Sequence, residues 1–167
     1  AVINLDDRFS QQWQQQAQKP AITTFSKANP QADFYAQAIK VLASGSTQFA
    51  LHTPQGVIEI SLPLLGEHNV VNAIAAAAAA MAAGADLAAV KAGLEKVQPV
   101  KGRLQVIASQ DLTLIDDSYN ANPDSVKAAI DVLANFSGVR CLVLGAMGEL
   151  AALALSLIHI SEPTRRH

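Results

Sequence analysis

Hydrophobic and polar positions alternate along the first third of the chain. Residues 34–42, 48–52 and 57–62 have the period of two that is typical of strands. Residues 53–56, TPQG, have the composition of a tight turn between the last two of these segments. The pattern therefore predicts an antiparallel hairpin on one sheet.

The segment before this hairpin predicts shorter elements. Residues 1–4, AVIN, have the character of the end of a strand that is already in progress. Residues 6–18 are polar and rich in glutamine, with Trp13 in the middle, and suit a surface helix that Lys19-Pro20 closes. Residues 21–25 are short and apolar enough for a further strand.

Helical spacing replaces alternation in the middle of the chain. A helix is expected to begin at His68 or Asn69, to run through the alanine-rich segment, and to end at Gly84. Asp86 is then the expected N-cap of a second helix over residues 87–97, in which leucine and valine recur at helical intervals.

Strand and helix signals follow one another again in the last third. Residues 104–108 and 112–115 are strand candidates. Asn122 is the expected cap of a helix with Pro123 in its first position. Residues 140–144 are largely apolar, as in a strand that is buried on both faces. This order predicts a strand–helix–strand unit of an α/β fold.

The chain is therefore expected to hold pieces of two α/β domains. We assign residues 1–100 to the end of the first domain and residues 101–152 to the start of the second. Residues 153–167 are expected to be a non-native tail, because residues 155–165, LSLIHISEPTR, resemble the translation of a sequencing-library adapter. Since the sequence also starts at Ala1 rather than Met, we expect a fragment.

Composition and charge limit the classes of protein to which the chain can belong. Half of the 167 residues are hydrophobic and 16% are charged, which is enough for a folded core. The net charge of −2 gives no nucleic-acid footprint. The given sequence shows no signal-peptide pattern, and its longest apolar run is shorter than the roughly 20 residues of a membrane span. We therefore expect a cytoplasmic protein without a nucleic-acid or membrane partner. The single cysteine and four histidines lack the spacing of a metal site, so none is predicted.

A polar cluster follows one predicted strand, in residues 114–125, LIDDSYNANPDS. Ligands of open α/β sheets bind beyond the carboxyl ends of the strands, where Asp116 and Asp117 stand. A carboxylate there can accept hydrogen bonds from a ribose, but the two aspartates can equally cap a turn. They could also bind Mg²⁺, although no third oxygen ligand is indicated. Tyr119 and Asn120 either contact a base or make local turns.

Two further segments have polar groups that suit a nucleotide. Asn69 and Asn72 are three residues apart, and so share one face at the start of a helix. A helix N-terminus favours anions and an amide can read an adenine edge, whereas the alternative is simple capping. Arg103, in the linker before the second unit, is either a phosphate contact or an ordinary surface arginine.

These segments together resemble the Mur ligase family in their order and spacing. The resemblance covers about residues 1–150 and rests on LPLLGEHNVVNAIAAAA, VKGRL, LIDDSYNANPDSVKAAIDVL and VLGAMGEL. Within the family, DDSYNANP is most similar to the ligases that add D-alanyl-D-alanine to UDP-N-acetylmuramoyl-tripeptide in peptidoglycan synthesis. The chain departs from their pattern at Ala146, where an aspartate is common, so no carboxylate can act there.

The resemblance implies the end of a central ATP-binding domain followed by the start of a Rossmann-like C-terminal ligase domain. It implies activation of the tripeptide carboxylate by ATP as an acyl phosphate, attack by the dipeptide amine, and a monomeric full enzyme. It implies ATP contacts from Asn69, Asn72, Arg103 and Asp117, and nucleotide or hinge contacts from His68, Tyr119 and Asn120. The P-loop lysine and the Mg²⁺ ligands are expected upstream of Ala1, and no catalytic residue is expected within the chain.

Three other interpretations stay open at this point. The chain could belong to another Mur or folylpolyglutamate-type ligase, because the HNxxN element occurs in that whole superfamily. It could be a non-catalytic nucleotide-binding module, since the sequence contains no G-x-x-x-x-G-K-[ST] loop. It could also be a truncated reading frame.

The missing P-loop generates a first prediction. Phosphoryl transfer depends on P-loop phosphate contacts and on metal contacts that are expected upstream of this sequence. We therefore expect the isolated chain to release no phosphate from ATP above the protein-free blank, even with the tripeptide substrate and D-alanyl-D-alanine present. An intact Mur ligase in the same assay serves as the positive control. Phosphate release that requires both ATP and the dipeptide would refute the expectation.

Overall fold

The N-terminal segment forms a small parallel sheet. The computed structural model describes residues 1–17, 21–42, 44–108, 112–145 and 147. Strand β1 (Val2–Asn4) pairs in parallel with β2 (Thr23–Phe25), and helix α1 (Ser10–Gln16) connects them. The predicted surface helix is confirmed but begins four residues later than predicted, and Trp13 is 48% exposed. Its predicted end at Lys19-Pro20 lies outside the described residues.

The alternating segments form a three-stranded antiparallel sheet in the order β3-β4-β5. These strands are β3 (Tyr35–Leu42), β4 (Ser46–Thr53) and β5 (Gly56–Leu62). The predicted turn joins β4 to β5, so the hairpin is confirmed. The pairing of β3 with β4 is irregular between Gln37 and Lys40, as in a β-bulge.

Two helices cover the first unit. Helix α2 (Glu67–Ala82) begins one residue before His68, and α3 (Leu87–Glu95) is capped as predicted by the Asp86 carboxylate, which accepts from the Ala89 N–H at 2.7 Å. The alanines on the inner face of α2 let the helix approach the sheet closely, because they add little bulk. One buried core results, which includes Phe49, Leu51, Ile60, Leu62, Val70 and Ile74.

The second unit is a hairpin and one helix. Strands β6 (Gln105–Ala108) and β7 (Thr113–Asp116) pair antiparallel, and α4 (Pro123–Ala134) follows. The predicted cap of α4 is confirmed and is reciprocal. The Ser125 N–H donates to Asn122 Oδ1 at 2.8 Å, and the Asn122 N–H donates to Ser125 Oγ at 2.9 Å.

The predicted strand at residues 140–144 is wrong. Residues 139–145 have no regular secondary structure, and Val143 is 87% exposed. Cys141, which the apolar pattern would bury, is exposed as well. An apolar run forms a buried strand only where neighbouring strands pair with it, and no strand in the described part of the chain does so. The predicted strand–helix–strand unit is therefore not formed there. Ala146 and residues 153–167 lie outside the described residues.

A second, smaller core joins the two units. It contains Leu65 from the segment before α2, Leu104 from the linker and Val132 from α4, all of them buried. This contact brings the start of α2 next to the end of β7. None of the helices in the described ranges is long and apolar enough to cross a membrane.

The buried core of the first unit generates a stability prediction with a matched pair of variants. Leu51 is 0% exposed, whereas Leu112 is 64% exposed. Leu51→Ala should lower the free energy of unfolding by about 2–5 kcal/mol, because it removes buried methyl groups and leaves a cavity. Leu112→Ala should change it by no more than about 0.5 kcal/mol. Urea denaturation followed by circular dichroism measures both, and similar losses for the two variants would contradict the assigned core.

Candidate functional site

The start of α2 lies against α4 of the second unit. Gly66 precedes the helix with a φ of +93°, and a Cβ atom there would lie 2.7 Å from His68 Cε1 and 3.0 Å from Val132 Cγ2. A side chain at this position would therefore strain the backbone and collide with the His68 ring and with α4. Glycine at position 66 thus allows the imidazole of His68 to lie at the junction between α2 and α4.

His68 and Asp117 interact across this junction. His68 as a whole residue is exposed, but neighbouring protein atoms remove part of the water from its ring. This desolvation is the larger effect and lowers the pKa of His68 below its usual value, while the negative charge of Asp117 acts in the opposite direction. The ring is consequently mostly neutral at pH 7, and it lies within electrostatic reach of the carboxylate.

The linker is attached to the loop after β7 by two hydrogen bonds. The Tyr119 N–H donates to the Gly102 carbonyl oxygen at 3.0 Å, and the Leu104 N–H donates to Asp117 Oδ1 at 3.1 Å. Between these two bonds, the guanidinium carbon of Arg103 lies 4.3 Å from the centroid of the Tyr119 ring. We call residues 101–104 together with residues 116–119 the linker–loop contact.

The two adjacent aspartates have different partners. Asp116 Oδ1 accepts from the Ser118 N–H at 3.1 Å, and hydrogen bonds from Ser118 are the main cause of the lowered pKa of Asp116, with a smaller contribution from Lys101. Asp116 therefore stabilises a local turn. Asp117 holds the linker through Oδ1, and in the described part of the chain no donor contacts its Oδ2. That oxygen is available for a ligand hydroxyl.

The two asparagines of α2 also differ. The Asn69 side-chain amide donates to the Leu65 carbonyl oxygen at 2.7 Å, which secures the first turn of the helix. Asn72 is exposed and lies one turn after His68, at the i, i+4 spacing that places side chains on one face. The exposed face thus combines His68 with Asn72, and part of the amide of Asn69 is already used inside the helix start.

The remaining predicted site residues lie in the loop after β7. Tyr119 is 66% exposed beneath Arg103. Asn120 Oδ1 accepts from the Ala121 N–H at 2.9 Å, so this side chain makes the local turn that the sequence left as an alternative.

The sequence did not indicate Gly66, Gly102 or Leu104 as part of the site. The first two have a recognisable signal, since both are glycines within the quoted motifs, but Leu104 has none.

The site offers a guanidinium, an exposed amide, a free carboxylate oxygen and two rings. These groups can contact an anion, a heterocycle edge, a sugar hydroxyl and a flat base. The described residues contain no group of three or more histidines, cysteines, aspartates or glutamates that could hold a metal ion.

The interaction of His68 with Asp117 gives a titration prediction. Asp117→Asn should lower the pKa of His68 further, because it removes the negative charge that favours the imidazolium while the amide oxygen can still accept from Leu104. Asp124→Asn, on the exposed first turn of α4, is the control and should leave the pKa of His68 unchanged. A pH titration of the imidazole ¹H–¹³C resonances measures both. An unchanged or raised pKa in Asp117→Asn would refute the interaction.

Comparison with known proteins places this chain in a family. A family model described as the Mur ligase middle domain matches residues 1–80, and one described as the glutamate ligase domain of the Mur ligases matches residues 102–159. The chain is 48% identical over 158 residues to the UDP-N-acetylmuramoyl-tripeptide–D-alanyl-D-alanine ligase of Haemophilus influenzae. That match covers 94% of this chain and 34% of the relative, so the chain spans about a third of the length of the curated relatives it matches.

Solved structures agree with this assignment. A crystal structure of MurF from Acinetobacter baumannii has a TM-score of 0.86 and 40% identity, and the match covers 95% of this chain and 34% of that one. A MurF ligase from Thermotoga maritima in complex with ADP shares the fold, with a TM-score of 0.71 at 22% identity over 90% of this chain and 34% of that one. Because the two family models match in order and together cover most of the sequence, the chain belongs to the Mur ligase family.

Proposed function

We propose that this chain forms the nucleotide-binding junction of an ATP-dependent ligase that joins D-alanyl-D-alanine to UDP-N-acetylmuramoyl-tripeptide. The observation that carries the proposal is the linker–loop contact, in which the Arg103 guanidinium lies over the Tyr119 ring and Asp117 accepts from Leu104 while its charge acts on His68 at the start of α2. The 48% identity to a ligase of this specificity supports the choice of substrates.

The proposed reaction has two steps. The terminal carboxylate of the tripeptide attacks the γ-phosphorus of ATP, which forms an acyl phosphate and releases ADP. The free amine of D-alanyl-D-alanine then attacks the acyl carbon, an amide bond forms, phosphate leaves, and the amine loses a proton. Both peptide substrates are water-soluble, so the enzyme we propose works in the cytoplasm, and we propose that it is a monomer.

Each exposed group of the site has a proposed contact with the nucleotide. The Asn72 amide matches the donor and acceptor pair of an adenine edge, and Asp117 Oδ2 matches the ribose hydroxyls. Arg103 matches the phosphates, since its planar fork can donate two parallel hydrogen bonds. Asn69 supports this set from within the helix start, and Asn120 from within the loop turn.

Mg²⁺ would neutralise phosphate charge in such a reaction. The described residues offer no cluster that fits the ion, so we assign no ligand here and no step through it. The absence of a P-loop sequence from the chain agrees with this assignment. The same absence favours one alternative, a nucleotide-binding module without ligase activity.

A chimeric enzyme distinguishes the two functions. The aligned segment of this chain replaces its counterpart in the Haemophilus influenzae ligase, and phosphate release is measured with ATP, the tripeptide substrate and D-alanyl-D-alanine. We expect activity that needs all three. In Arg103→Ala, kcat/KM for ATP should fall by at least about 10-fold, because one charged contact to the phosphates is removed.

The control in this assay is Arg140→Ala. Arg140 is an exposed arginine that donates to the Ala134 carbonyl oxygen at 2.9 Å, outside the site, and its loss should leave kcat/KM for ATP unchanged. A chimera that folds and binds ATP but does not form the amide favours the module. A chimera that prefers single amino acids over the dipeptide favours another Mur-type ligase.

A further inference from the structure

Arg103 has a long, exposed side chain that the surrounding fold does not enclose. An arginine of this kind samples many rotamers in water, and ordering it upon binding an anion costs free energy. In the described part of the chain, no carboxylate forms a salt bridge with it. Its orientation must therefore come from a contact of another kind.

The Tyr119 ring supplies that contact. The guanidinium carbon lies 4.3 Å from the ring centroid, which is within the range of a cation–π interaction. A stacked guanidinium keeps its N–H groups at the edge of the plane, where they can still donate to a phosphate. The ring thus restricts the side chain without consuming its hydrogen-bond donors.

Backbone contacts hold the Tyr119 ring and Arg103 next to each other. The Tyr119 N–H donates to the Gly102 carbonyl oxygen, and a Cβ on Gly102 would lie 3.0 Å from the Tyr119 nitrogen. A side chain at position 102 would crowd the Tyr119 backbone, and the φ of +74° is also one that residues other than glycine rarely adopt. Tyr119 is therefore set directly against the residue that precedes Arg103.

Leu104 fixes the other side of Arg103. It has a φ of +47°, which is strained for a residue with a side chain. The strain is sustained because the Leu104 side chain is buried with Leu65 and Val132, and its N–H donates to Asp117. Arg103 consequently projects from a backbone that is constrained on both sides.

We infer that Tyr119 is a positioning residue, which holds the guanidinium of Arg103 in the direction from which it contacts the nucleotide phosphates. The inference rests on the proposed function for the identity of the anion. The contact between the Arg103 and Tyr119 side chains does not depend on the identity of the anion. The proposed function and the positioning role of Tyr119 can therefore fail separately.

The contact is tested first on the chain itself, without nucleotide. An aromatic ring shifts the NMR signals of protons above its face upfield. The Arg103 Hε resonance should therefore lie upfield of that of Arg140, as should the resonance of Arg8, whose guanidinium carbon lies 4.5 Å from the Phe9 ring centroid. Arg103→Ala assigns the Arg103 resonance by its disappearance. Tyr119→Leu should move the resonance downfield, whereas Tyr119→Phe should keep it upfield, because the ring is retained. Tyr35→Leu, at the other tyrosine of the chain, should not move it. An identical resonance in Tyr119→Leu and the unmodified chain overturns the inference.

The consequence for nucleotide use is tested in the chimera. Tyr119→Leu should raise KM for ATP roughly two- to fivefold, the range expected for an exposed cation–π contact, with a smaller change in kcat. Tyr119→Phe should restore most of the loss. In an Arg103→Ala background, Tyr119→Leu should have no further effect, because the ring then has no guanidinium to position.

Two other outcomes would each refute a different claim, the positioning role of Tyr119 or the proposed function. If Tyr119→Leu raises KM equally with and without Arg103, Tyr119 acts on the nucleotide directly and the positioning role is wrong. If the unmodified chimera shows no ATP-dependent ligation, the proposed function fails, while the NMR comparison still decides whether Tyr119 orients Arg103.

Discussion

Leu65, Leu104 and Val132 come from three separate segments and bury one another at the junction of the two units. Full burial of such side chains contributes roughly 1.5–3 kcal/mol each, an upper estimate because unfolded chains already bury part of this surface. The polar contacts of the site are individually weaker, at about 1 kcal/mol for a hydrogen bond or an exposed cation–π pair. The geometry of the polar site therefore depends on this apolar contact. It presses α4 against Gly66 and keeps Leu104 close enough to donate to Asp117.

The same contact explains how strained backbone persists at the junction. Leu104 has a positive φ, and Gly66 and Gly102 have positive φ values as well. Such conformations persist only where surrounding packing and hydrogen bonds over-determine them. These constrained segments of backbone carry Arg103 and Asp117 at the junction with α2.

Local features were predicted well because their physical causes are local. The alternation over residues 57–62 predicted β5, and Asn122 followed by Pro123 predicted the start of α4, since strand faces and helix caps involve only nearby residues. The apolar run at residues 140–144 predicted a buried strand wrongly. Burial of that segment depends on partners from other parts of a sheet, and hydrophobicity alone does not provide them.

The sequence by itself determined the order of the elements, the helix caps, the polar character of the site and the family resemblance. The tertiary structure alone decided what each polar residue does. Asp116 and Asp117 are chemically identical neighbours, yet one accepts from Ser118 in its own turn and the other from Leu104, 13 residues away. Asn69 binds back to Leu65 while Asn72 stays exposed, and Arg103 lies on Tyr119. Which donors reach a side chain is set by segments that only folding brings together, because a hydrogen bond or a stacked ring acts over a few ångströms and not along the chain.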